Sequence, residues 1–578
     1  MSDEISVLIR KYVLMNAIRH KGRAEVGSVL GRVLADRSEL RSQGDEVRRQ
    51  VQKIVDEINS LSLSAQKETA AKYCPDILEE QRVEYREKGL LPLPNAERYD
   101  RIVTRFSPNP DCVLHLGSAR AVILSHDYAK KYAGVFILRF EDTDPKGKPP
   151  RVEFYAAIRE DLSWLGCDPD EEFIQSDRLP IYYDFARRVL NLGYAYVCKC
   201  RPEDFRVRIS AREPCPCRSR SPKENVEEWE RMVGRQYAEG EAVVRIKTDL
   251  NHPNPAVRDW PALRIIDTEL YPHPRTGNTY RVWPLYNFAC GVDDHLMGIT
   301  HIIRGKEHLT NETRQRYLYE HLGWKYPETI HYGRLRIVGS VLSKSRILVG
   351  VRAGEYDGWD DPRLATLIAL RKRGIAAETI RRMIHEVGLS PVDATLSWKT
   401  LYAYNRKLID GVANRYFFVS SPLEMTVSGI PSAFTPEIPM HPEHKERGYR
   451  VFEVIPKDGM HTFYVSENDR EHLVAGEVIR LIGLFNVRII SSNGMINASF
   501  AGASYEEAHE LGAQLIHWVP SDSWVDTRVL MPDNSVTNGL SEKSVLGLKP
   551  NQIIQFERYG FVCVDSVGEI LKVRFTHS

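Results

Sequence analysis

The chain has 578 residues, of which 42% are hydrophobic and 27% are charged, and its formal net charge at pH 7 is +1. This length and apolar content can bury several cores, so about three or four domains are expected. The near-neutral charge excludes a protein that binds nucleic acid through a global basic field, and a nucleic-acid partner would need local basic patches.

The sequence contains no run of about eighteen apolar residues, which argues against a membrane-spanning helix. The first residues, MSDEISVLIRKYVL, carry acids where a signal peptide would be basic, so neither membrane insertion nor secretion is expected. Nine cysteines, an odd number in a long chain, fit reduced thiols better than a disulfide framework. We therefore expect a cytoplasmic protein.

Residues 1 to about 100 are predicted to be helical and polar. An amphipathic helix is indicated by apolar residues that recur at helical spacing, namely Val47, Val51, Ile54, Val55 and Ile58. A structural appendage is the simpler interpretation of this region, and a docking surface for a partner is the alternative. The linker LLPLPNAERYD at residues 90–100 contains two prolines and marks a domain boundary.

From about residue 101 the pattern changes to alternating strands and helices. The strand candidates are residues 102–106, 135–140 and 301–304, and they alternate with helical segments such as 151–165 and 311–322. This alternation predicts a parallel sheet wound by helices, with ligands bound at the carboxyl ends of the strands.

The segment RFSPNPDCVLHLGSAR, residues 105–120, overlaps the first strand candidate and leads into a predicted helix. Its two prolines prevent an earlier helix, so His115, Gly117 and Ser118 fall at the helix N-terminus. Free backbone N–H groups and the helix dipole favour phosphate there. His115 can hydrogen-bond phosphate oxygens, and Gly117 lets a flat base approach, so the loop is predicted to cradle a nucleotide.

Acidic residues follow the strand candidate at 135–140, in the sequence EDTDP at residues 141–145. Glu141 would place a carboxylate at the carboxyl end of the sheet, where the amino group of a ligand could bind. The simpler alternative, which is common in proteins, is that these acids only end the strand.

Four cysteines form two tight pairs, Cys198 with Cys200 and Cys215 with Cys217, and fourteen residues separate the pairs. The pattern is close to that of a four-cysteine structural zinc site, although C-x-C is shorter than the usual spacing. Unligated thiols are one alternative, and a site in which another ligand replaces one thiol is a second. Arginines between and after the pairs suit phosphate contacts.

Arg304 stands out in WPLYNFACGVDDHLMGITHIIRGKEHLTN, residues 283–311. A ligand carboxylate favours the fixed and always-charged fork of arginine over lysine. The alternative for Arg304 is a structural salt bridge to Asp293, Asp294 or Glu307. We assign Asp293 and Asp294 a structural role rather than a metal site.

A second motif, VLSKS at residues 341–345, adds a cation. Lys344 is a compact ammonium between the hydroxyls of Ser343 and Ser345, suited to the charge that builds on triphosphate oxygens during adenylation. Either motif alone is usually an ordinary helix cap or a solvated loop. The two together, in this order, are a much stronger signal.

From about residue 410 the apolar periods shorten. The strand-like segments are YRVFEVIP, HTFYVSEN, EVIRLIGLFNVRIISS, TRVLMPD, QIIQFERYGFVCVD and ILKVRFTHS. Turn-forming Gly, Pro, Asn and Asp residues separate them, which predicts antiparallel β-barrels. Exposed arginine and aromatic groups on barrels suit unstacked bases, but most aromatic residues here are expected in the core.

The two motifs, HLGS at residues 115–118 and VLSKS at 341–345, resemble the HIGH and KMSKS signatures of class I aminoacyl-tRNA synthetases. The surrounding segments are similar to those of archaeal-type glutamyl-tRNA synthetases, over roughly residues 100 to 578. Ser118 replaces the second histidine that is usual in the family, so a hydroxyl must substitute there. The all-β C-terminal region differs from the helical anticodon domains of bacterial-type glutamyl enzymes.

Together with this resemblance, the patterns predict an α/β multidomain protein. The expected domains are an N-terminal helical domain at 1–100, a Rossmann-like class I catalytic domain at 101–350 with a zinc-bearing, acceptor-binding insertion at about 195–280, a helical connecting region at 351–410, and a β-barrel anticodon-binding domain at 411–578. A docking role of the N-terminal domain would concern tRNA or another protein.

The resemblance implies roles for individual residues. Catalytic roles fall to His115, Ser343 and Lys344. ATP binding is expected from Asn109, Pro110, His115, Gly117, Ser118, Arg334, Leu335, Leu342, Ser343 and Lys344. Glutamate is expected to bind at Arg105, Glu141, Tyr286 and Arg304, with Arg304 holding the side-chain carboxylate. The ligands of a structural Zn²⁺ would be Cys198, Cys200, Cys215 and Cys217.

The implied function is ATP-dependent attachment of L-glutamate to tRNA(Glu) through a glutamyl-adenylate, with Mg²⁺ arriving with ATP. The resemblance also implies attack by the 2′-hydroxyl of tRNA and a requirement for tRNA before activation. Glutaminyl enzymes have an uncharged residue in place of Arg304 and Asp-Asp-Thr-Asn in place of residues 141–144, so both differences favour glutamate.

Two alternatives remain open, a glutaminyl-tRNA synthetase and a tRNA-binding scaffold with a retired active site. Intact His115, Gly117, Lys344 and Arg304 favour the enzyme, because a retired site is expected to lose some of these residues. Whether tRNA(Gln) is also charged with glutamate depends on how strictly the anticodon is read. A monomer is expected.

Overall fold

The computed structural model describes residues 3–19, 22–37, 44–62, 65–66, 68–70, 90–492 and 494–578. The chain divides into two compact units, Met1–Gly89 and Leu90–Ser578. Within the described ranges, no helix combines the length and the apolar character that crossing a membrane requires. Each unit has a hydrophobic core of its own.

The first unit contains the helices α1 (Asp3–Arg19), α2 (Val26–Asp36) and α3 (Gly44–Asn59). The five apolar residues that predicted an amphipathic helix all lie on α3 and are buried, which confirms that prediction. They pack in one core with apolar side chains of the other two helices, among them Ile9, Val13, Val29 and Val33.

The second unit begins with alternating strands and helices. In chain order they are β1 (Val103–Phe106), α4 (Leu116–Lys131), β2 (Val135–Phe140), α5 (Val152–Trp164), β3 (Glu171–Ile174), α6 (Leu179–Asn191), β4 (Ala195–Cys198), α7 (Pro202–Ser210), α8 (Pro222–Val233), β5 (Val243–Ile246), β6 (Pro261–Ile265), β7 (Val282–Pro284), α9 (Tyr286–Leu296), β8 (His301–Gly305), α10 (Leu309–Leu322), β9 (Glu328–Tyr332), β10 (Leu335–Ile337) and α11 (Lys344–Arg352).

A parallel sheet in the order β1-β2-β3 forms the first layer of this region, with Val103 opposite Val135. The parallel pair β8–β9 lies beside β1, because the backbone N–H of Thr300 donates to the carbonyl of Val103 at 3.0 Å. All six residues of β2 are buried, as expected for a strand covered on both faces. The predicted parallel sheet wound by helices is confirmed.

A separate antiparallel sheet, in the order β4-β5-β6-β7, interrupts the parallel arrangement. It packs with α6, α8 and α9 around a second core, in which Trp229, Trp260 and Trp283 are at most 1% exposed. Strand β4 ends at Cys198, so the first of the four cysteines lies at the end of a strand of this sheet.

Beyond α11 lie α12 (Leu367–Lys372), α13 (Ala377–Val387), β11 (Ala394–Leu396) and α14 (Trp398–Ile409). Strand β11 pairs in parallel with β10. The buried side chain of Arg120, on α4, donates hydrogen bonds to the carbonyls of Gly333 and Gly388. Arg120 therefore ties the helix of the HLGS motif to this connecting segment.

The C-terminal region is mostly β-structure. Its elements are β12 (Arg415–Tyr416), β13 (Phe418–Ser420), β14 (Pro422–Ser428), β15 (Glu437–Pro439), β16 (Tyr449–Val451), β17 (His461–Ser466), β18 (Val478–Leu481), β19 (Asn486–Ser491), β20 (Ile496–Phe500), α15 (Tyr505–Glu510), β21 (Gln514–Ile516), β22 (Val519–Pro520), β23 (Trp524–Leu530), β24 (Val536–Glu542), β25 (Ile553–Phe556), β26 (Gly560–Ser566) and β27 (Ile570–His577).

Two seven-stranded sheets dominate this region. One has the order β12-β25-β26-β27-β23-β24-β13, and the other has the order β21-β18-β19-β20-β14-β17-β22. In each sheet the two edge strands are neighbours in sequence, separated by Phe417 in the first and by His517 and Trp518 in the second. Both sheets are therefore curled toward their own edges, like half-barrels.

Both sheets are mixed, so the prediction of antiparallel barrels is wrong in this respect. Four strand pairs are parallel, namely β12–β25, β14–β20, β18–β21 and β23–β27. The alternation of apolar and polar residues identifies a strand and its buried face. It does not identify the neighbouring strand, because that depends on how distant segments meet.

Candidate functional site

The HLGS motif forms the N-terminus of α4. His115 is the N-cap residue, and its Nδ1 accepts a hydrogen bond of 3.2 Å from the backbone N–H of Ser118. The backbone N–H of Leu116 donates to the carbonyl of Ala365, so this turn is held by the connecting segment. Because Nδ1 accepts, the proton of a neutral His115 ring is on Nε2, where it can be donated to a ligand.

Gly117 lies against the ring of His115. A Cβ at Gly117 would lie 2.9 Å from Cε1 and 3.0 Å from Nδ1 of that ring, so a larger residue would displace it. The same position is 3.9 Å from Leu342, which belongs to the second motif. Burial and the nearby Lys344 lower the pKa of His115 to about 4, so the imidazole is neutral at pH 7.

The VLSKS motif lies beside the first motif in space. Ser343 is the N-cap residue of α11, and its Oγ lies 3.2 Å from Oγ of Ser345. The Nζ of Lys344 is 3.5 Å from Oδ1 of Asp111, in the loop that precedes His115, and the Lys344 side chain is 37% exposed. The structure thus brings together two motifs that are more than two hundred residues apart in sequence.

The other predicted ATP-binding residues lie in the loop of the first motif, on β10 or directly before β10. Asn109 Oδ1 is buried and has no hydrogen-bond partner among the described residues. The carbonyl of Pro110 accepts a backbone hydrogen bond of 2.9 Å from Arg151. Leu335 packs against the core formed by apolar side chains of α4 and β2, and Arg334 is exposed. In the described structure neither side chain hydrogen-bonds to the two motifs.

A buried ion network lies at the carboxyl ends of β1 and β2. Arg105 is 5% exposed and donates to Asp294 through Nε at 3.1 Å and Nη2 at 3.3 Å. Arg139 donates to Asp294 at 2.8 Å and to Glu141 at 2.9 Å. Burial opposes ionisation of Asp294, but Arg105 and Arg139 outweigh it and lower the pKa of that carboxyl. Asp294 therefore stays ionised.

Asp293 is also saturated by donors from the protein. It accepts hydrogen bonds from the side chains of Tyr182 at 2.6 Å, Arg178 at 2.9 Å and Gln175 at 3.0 Å. The structural role predicted for Asp293 and Asp294 agrees with these contacts, because both carboxylates already bind buried protein donors.

Arg304 lies near the end of β8 and is 5% exposed, yet its hydrogen-bond partners are neutral. Its Nη1 donates to Gln315 Oε1 at 3.1 Å, and its Nη2 donates to the Tyr326 hydroxyl at 3.0 Å. Among the described residues no carboxylate forms a salt bridge with this guanidinium, so the alternative of a structural ion pair is wrong. A buried charge without a counter-ion is unfavourable, which marks a place where a ligand carboxylate could bind.

Tyr286 and Glu141 lie close enough to Arg304 and Arg105 to interact with them electrostatically. Burial raises the pKa of Tyr286, and Glu141 adds to this shift while Arg304 and Arg105 oppose it. Burial also raises the pKa of Glu141, against the effect of its arginine neighbours. The ring of Tyr286 lies 5.6 Å from that of His308, whose pKa burial and the two arginines lower to about 4. The four residues predicted to bind an amino acid are therefore together.

Sequence reasoning missed Asp111, Arg139, Gln315 and Tyr326. Arg139 carried a usable signal, because a charged residue inside the apolar run VFILRF requires a buried partner. Gln315 and Tyr326 carried none, since a glutamine on a polar helix and a tyrosine after it are ordinary in sequence. Only the tertiary structure shows that they hold Arg304.

The four cysteines of the predicted zinc site converge. All eight cysteines in the described residues are free thiols, and the sulfur atoms of Cys198, Cys200, Cys215 and Cys217 lie within 4.8 Å of one another. The sulfur–sulfur distance is 3.8 Å for Cys198 and Cys215 and 3.9 Å for Cys200 and Cys217. Tetrahedral zinc with Zn–S bonds of about 2.3 Å requires sulfur–sulfur distances of about 3.8 Å, so this donor set fits zinc.

Comparisons with known proteins agree with this geometry. The model of the catalytic domain of class I tRNA synthetases (E and Q) matches residues 101–411, and two models of the anticodon-binding domain of the same class match residues 413–503 and 515–565. A glutamate–tRNA ligase from Pyrococcus abyssi is 50% identical over 579 residues, which cover 99% of this chain and 100% of that protein.

Two further relatives have the same name. The glutamate–tRNA ligase of Pyrococcus furiosus is 51% identical over 569 residues, which cover 98% of both chains. The glutamate–tRNA ligase of Methanothermobacter thermautotrophicus is 45% identical over 571 residues, which cover 99% of both chains. The similarity therefore includes the N-terminal unit as well as the regions that the family models match.

Proposed function

The chain belongs to the class I tRNA synthetases for glutamate and glutamine, and from that premise we propose that it attaches L-glutamate to tRNA(Glu) at the expense of ATP. The products are glutamyl-tRNA, AMP and diphosphate. The observation that carries the proposal is Arg304, a buried guanidinium whose hydrogen-bond partners are neutral. Its position suits a substrate with a negatively charged side chain and favours glutamate over glutamine.

In the first step the α-carboxylate of glutamate attacks the α-phosphorus of ATP, and diphosphate leaves. Neutral His115 donates a hydrogen bond from Nε2 to a phosphate oxygen, and Lys344 stabilises the charge that builds in the transition state. Mg²⁺ bound to ATP would neutralise part of the phosphate charge. The VLSKS and HLGS motifs are close enough in space for His115 and Lys344 to act on one triphosphate.

In the second step the 2′-hydroxyl of the terminal adenosine of tRNA attacks the carbonyl of the glutamyl-adenylate, and AMP leaves. No protein nucleophile is required, because the adenylate is already an activated mixed anhydride of glutamate and AMP. The protein contributes by holding the two reactants in the correct orientation.

Amino-acid recognition divides among four side chains. Arg304 binds the side-chain carboxylate of glutamate, while Glu141 accepts a hydrogen bond from the α-amino group. Arg105 and Tyr286 complete the pocket. An excess of positive charge remains after Asp294 has paired with Arg105, which suits a substrate that carries two carboxylates.

We also assign a structural zinc ion to Cys198, Cys200, Cys215 and Cys217 on the basis of their sulfur–sulfur distances. The ion would hold the shape of the inserted module without taking part in the chemistry. Exposed arginines of this module are suited to phosphates of the tRNA acceptor end. Elemental analysis of protein purified without chelators should find about one zinc per chain, and none after replacement of Cys198 and Cys200 by serine. Native protein without zinc would rule out the assignment.

The proposal extends to the domains. Residues 101–350 perform the chemistry, with the acceptor-binding insertion at about 195–280, and residues 351–410 connect them to an anticodon-reading region at 411–578. The two curled sheets support the last assignment, because such surfaces bind unstacked bases. The monomeric state of the protein and its location in the cytoplasm stay predictions. A docking role of residues 1–100 also stays a prediction.

Charging of purified tRNA(Glu) and tRNA(Gln), each with labelled glutamate and labelled glutamine, tests the proposal. We expect glutamate on tRNA(Glu) and no glutamine on either tRNA. Glutamine on tRNA(Gln) would identify a glutaminyl enzyme, and tRNA binding without any charging would identify a retired scaffold. Glutamate on tRNA(Gln) as well would show tolerant reading of the anticodon.

A further inference from the structure

Arg304 forms a closed triangle of hydrogen bonds with Gln315 of α10 and Tyr326. Its Nη1 donates to Gln315 Oε1 at 3.1 Å, and its Nη2 donates to the Tyr326 hydroxyl at 3.0 Å. The Tyr326 hydroxyl in turn donates to Gln315 Oε1 at 2.8 Å. Gln315 is 1% exposed and Arg304 is 5% exposed, whereas Tyr326 is half-buried. These hydrogen bonds fix the orientation of Nη1 and Nη2 of Arg304.

The chemistry of arginine decides how Gln315 is oriented. A guanidinium offers donors only, so the amide atom of Gln315 that faces Arg304 must be the oxygen. The amide nitrogen of Gln315 then points elsewhere, and this buried Nε2 has no hydrogen-bond partner among the described residues. The Nε of Arg304 is likewise buried and without a partner in the described structure. Both unpaired donors reduce the stability of the folded chain.

A glutamate side chain at position 315 would have nearly the same shape as glutamine and would leave fewer buried hydrogen-bonding groups without a partner. Its carboxylate could accept from both Arg304 and Tyr326, and the unpaired amide nitrogen would no longer exist. It would also neutralise the charge of Arg304. The glutamine is therefore less favourable for folding than its isosteric acid, which indicates that the uncompensated charge serves a function.

The arginines nearby show the contrasting arrangement. Arg105 and Arg139 are buried as deeply as Arg304, but both form salt bridges with Asp294. The Tyr326 ring lies 4.6 Å below the guanidinium of Arg316, and burial raises the pKa of Tyr326 to about 12, so its hydroxyl is uncharged at neutral pH. The polar groups that hold Arg304 are thus neutral, in a pocket where carboxylates are available to the other arginines.

We propose that Gln315 and Tyr326 are positioning residues for amino-acid selection: they fix the fork of Arg304 through neutral acceptors and leave its charge for the side-chain carboxylate of the substrate. The inference rests on the proposed function, in which Arg304 binds that carboxylate. It adds that selectivity for glutamate requires position 315 to be uncharged, in addition to requiring an arginine at 304.

The decisive variant is Gln315→Glu, because the proposal predicts that stability and activity move in opposite directions. We expect the midpoint of thermal unfolding to stay the same or rise, while the KM for glutamate rises by roughly 30-fold or more, since the substrate must compete with an internal carboxylate. The ratio of kcat/KM for glutamate to that for glutamine should fall. The KM values for ATP and tRNA should change by less than about threefold, because Gln315 contacts neither motif of the nucleotide site.

A pair of phenylalanine substitutions supplies a matched control. Tyr326→Phe removes one of the two acceptors of Arg304, and we expect the KM for glutamate to rise by roughly five- to twentyfold. Tyr319→Phe removes the same atom from a ring 4.8 Å away, whose hydroxyl is buried and has no hydrogen-bond partner in the described residues. Tyr319→Phe should leave the KM for glutamate unchanged, so general effects on packing are separated from the effect on Arg304.

Three results separate a failure of the proposed role of Arg304 from a failure of the inference about position 315. If Arg304→Ala leaves the preference for glutamate over glutamine unchanged, Arg304 does not bind the side-chain carboxylate and the proposed pocket is wrong. If Arg304→Ala abolishes the preference but a folded Gln315→Glu protein keeps it, only the inference about position 315 is overturned. If Gln315→Glu lowers stability together with all activities, the pair of phenylalanine variants gives the answer. An equal KM for glutamate in the Tyr326→Phe and Tyr319→Phe proteins would then overturn the inference about Gln315 and Tyr326.

Discussion

The amino-acid pocket around Arg304 and the nucleotide site around Lys344 are constructed in opposite ways. Arg304 and Arg105 are each 5% exposed, and each donates two hydrogen bonds of 3.0–3.3 Å to oxygens of neighbouring side chains. The side chain of Lys344 is 37% exposed, and it lies 3.5 Å from Asp111, farther than a normal charged hydrogen bond. The pocket is organised before any substrate binds, whereas the lysine is held loosely.

This difference suits the proposed roles of the two regions. Selection between glutamate and glutamine depends on one charge at one fixed place, and a rigid arginine achieves this because its geometry is set in advance. Stabilisation of phosphates during adenylation must follow charge that moves from ATP to the leaving diphosphate. A flexible four-carbon ammonium side chain is suited to that task.

The largest expected effect tests the nucleotide side of the comparison. Lys344→Ala should lower adenylate formation by roughly two to four powers of ten, or about 3 to 5 kcal/mol of transition-state stabilisation, while tRNA affinity stays nearly the same. ATP–diphosphate exchange in the presence of tRNA measures the first quantity, and filter binding measures the second. Lys53→Ala, an exposed lysine on α3, is the control. Near-normal exchange in the Lys344 variant would contradict the assignment.

The next prediction tests the pocket. Arg304→Ala should leave the glutamate side chain without a partner and weaken its use by about 2 to 5 kcal/mol, with little loss for uncharged glutamine. Arg304→Lys should also fail, because an ammonium cannot reproduce the two-pronged fork. The measurement is the ratio of kcat/KM for charging with each amino acid. An unchanged ratio would place selectivity elsewhere, for example at Arg105.

A pH series tests the state of His115. The pKa of this group is lowered from 6.5 to about 4, so the folded protein keeps it neutral throughout pH 5.5 to 8. His115→Gln, which retains a neutral donor, should therefore lower the exchange rate by about ten- to a hundredfold without changing the shape of its pH profile. A slope in the native profile near pH 6.5 that the variant lacks would show that His115 titrates in this range.

The same shift predicts a change in stability. The unfolded chain binds a proton at His115 near pH 6.5, whereas the folded chain does so only near pH 4. The contribution of this group therefore favours unfolding increasingly as the pH falls from about 6.5 to about 4, and it is absent above that window. Comparing native and His115→Gln proteins by urea unfolding at pH 7 and pH 5 measures it. An equal loss of stability in both would contradict the low pKa.

The smallest expected effect concerns Ser118, where the family usually has a second histidine. The backbone N–H of Ser118 holds His115 at 3.2 Å, while its hydroxyl is 3.5 Å from the same ring nitrogen. Ser118→Ala keeps the backbone contact, so the exchange rate should fall by less than about fivefold. A loss as large as that of His115→Gln would mean that the hydroxyl itself acts on the phosphates.

Local pattern was sufficient for much of the fold. Apolar periodicity predicted α3 in the first unit and the strands β1, β2 and β8, because burial of one face leaves a regular spacing in the sequence. The HLGS and VLSKS motifs and the cysteine pairs were equally visible, since each depends on a few neighbouring residues.

Other features depend on contacts between distant segments. The mixed order of the two curled sheets and the pairing of Asp111 with Lys344 could not be read from spacing. The same holds for the partners of Arg304, which distinguish a binding group from a structural ion pair.

The sequence alone determined which residue types are available to the site, because a motif and an apolar stripe are properties of neighbouring positions. Only the tertiary structure decided which of the buried arginines has a carboxylate partner. Asp294 lies ten residues before Arg304 in sequence, yet it pairs with Arg105 and Arg139, which are far from it along the chain. Charge compensation depends on distances of a few ångströms in space, and those distances are set by how β1, β2, β8 and α9 pack.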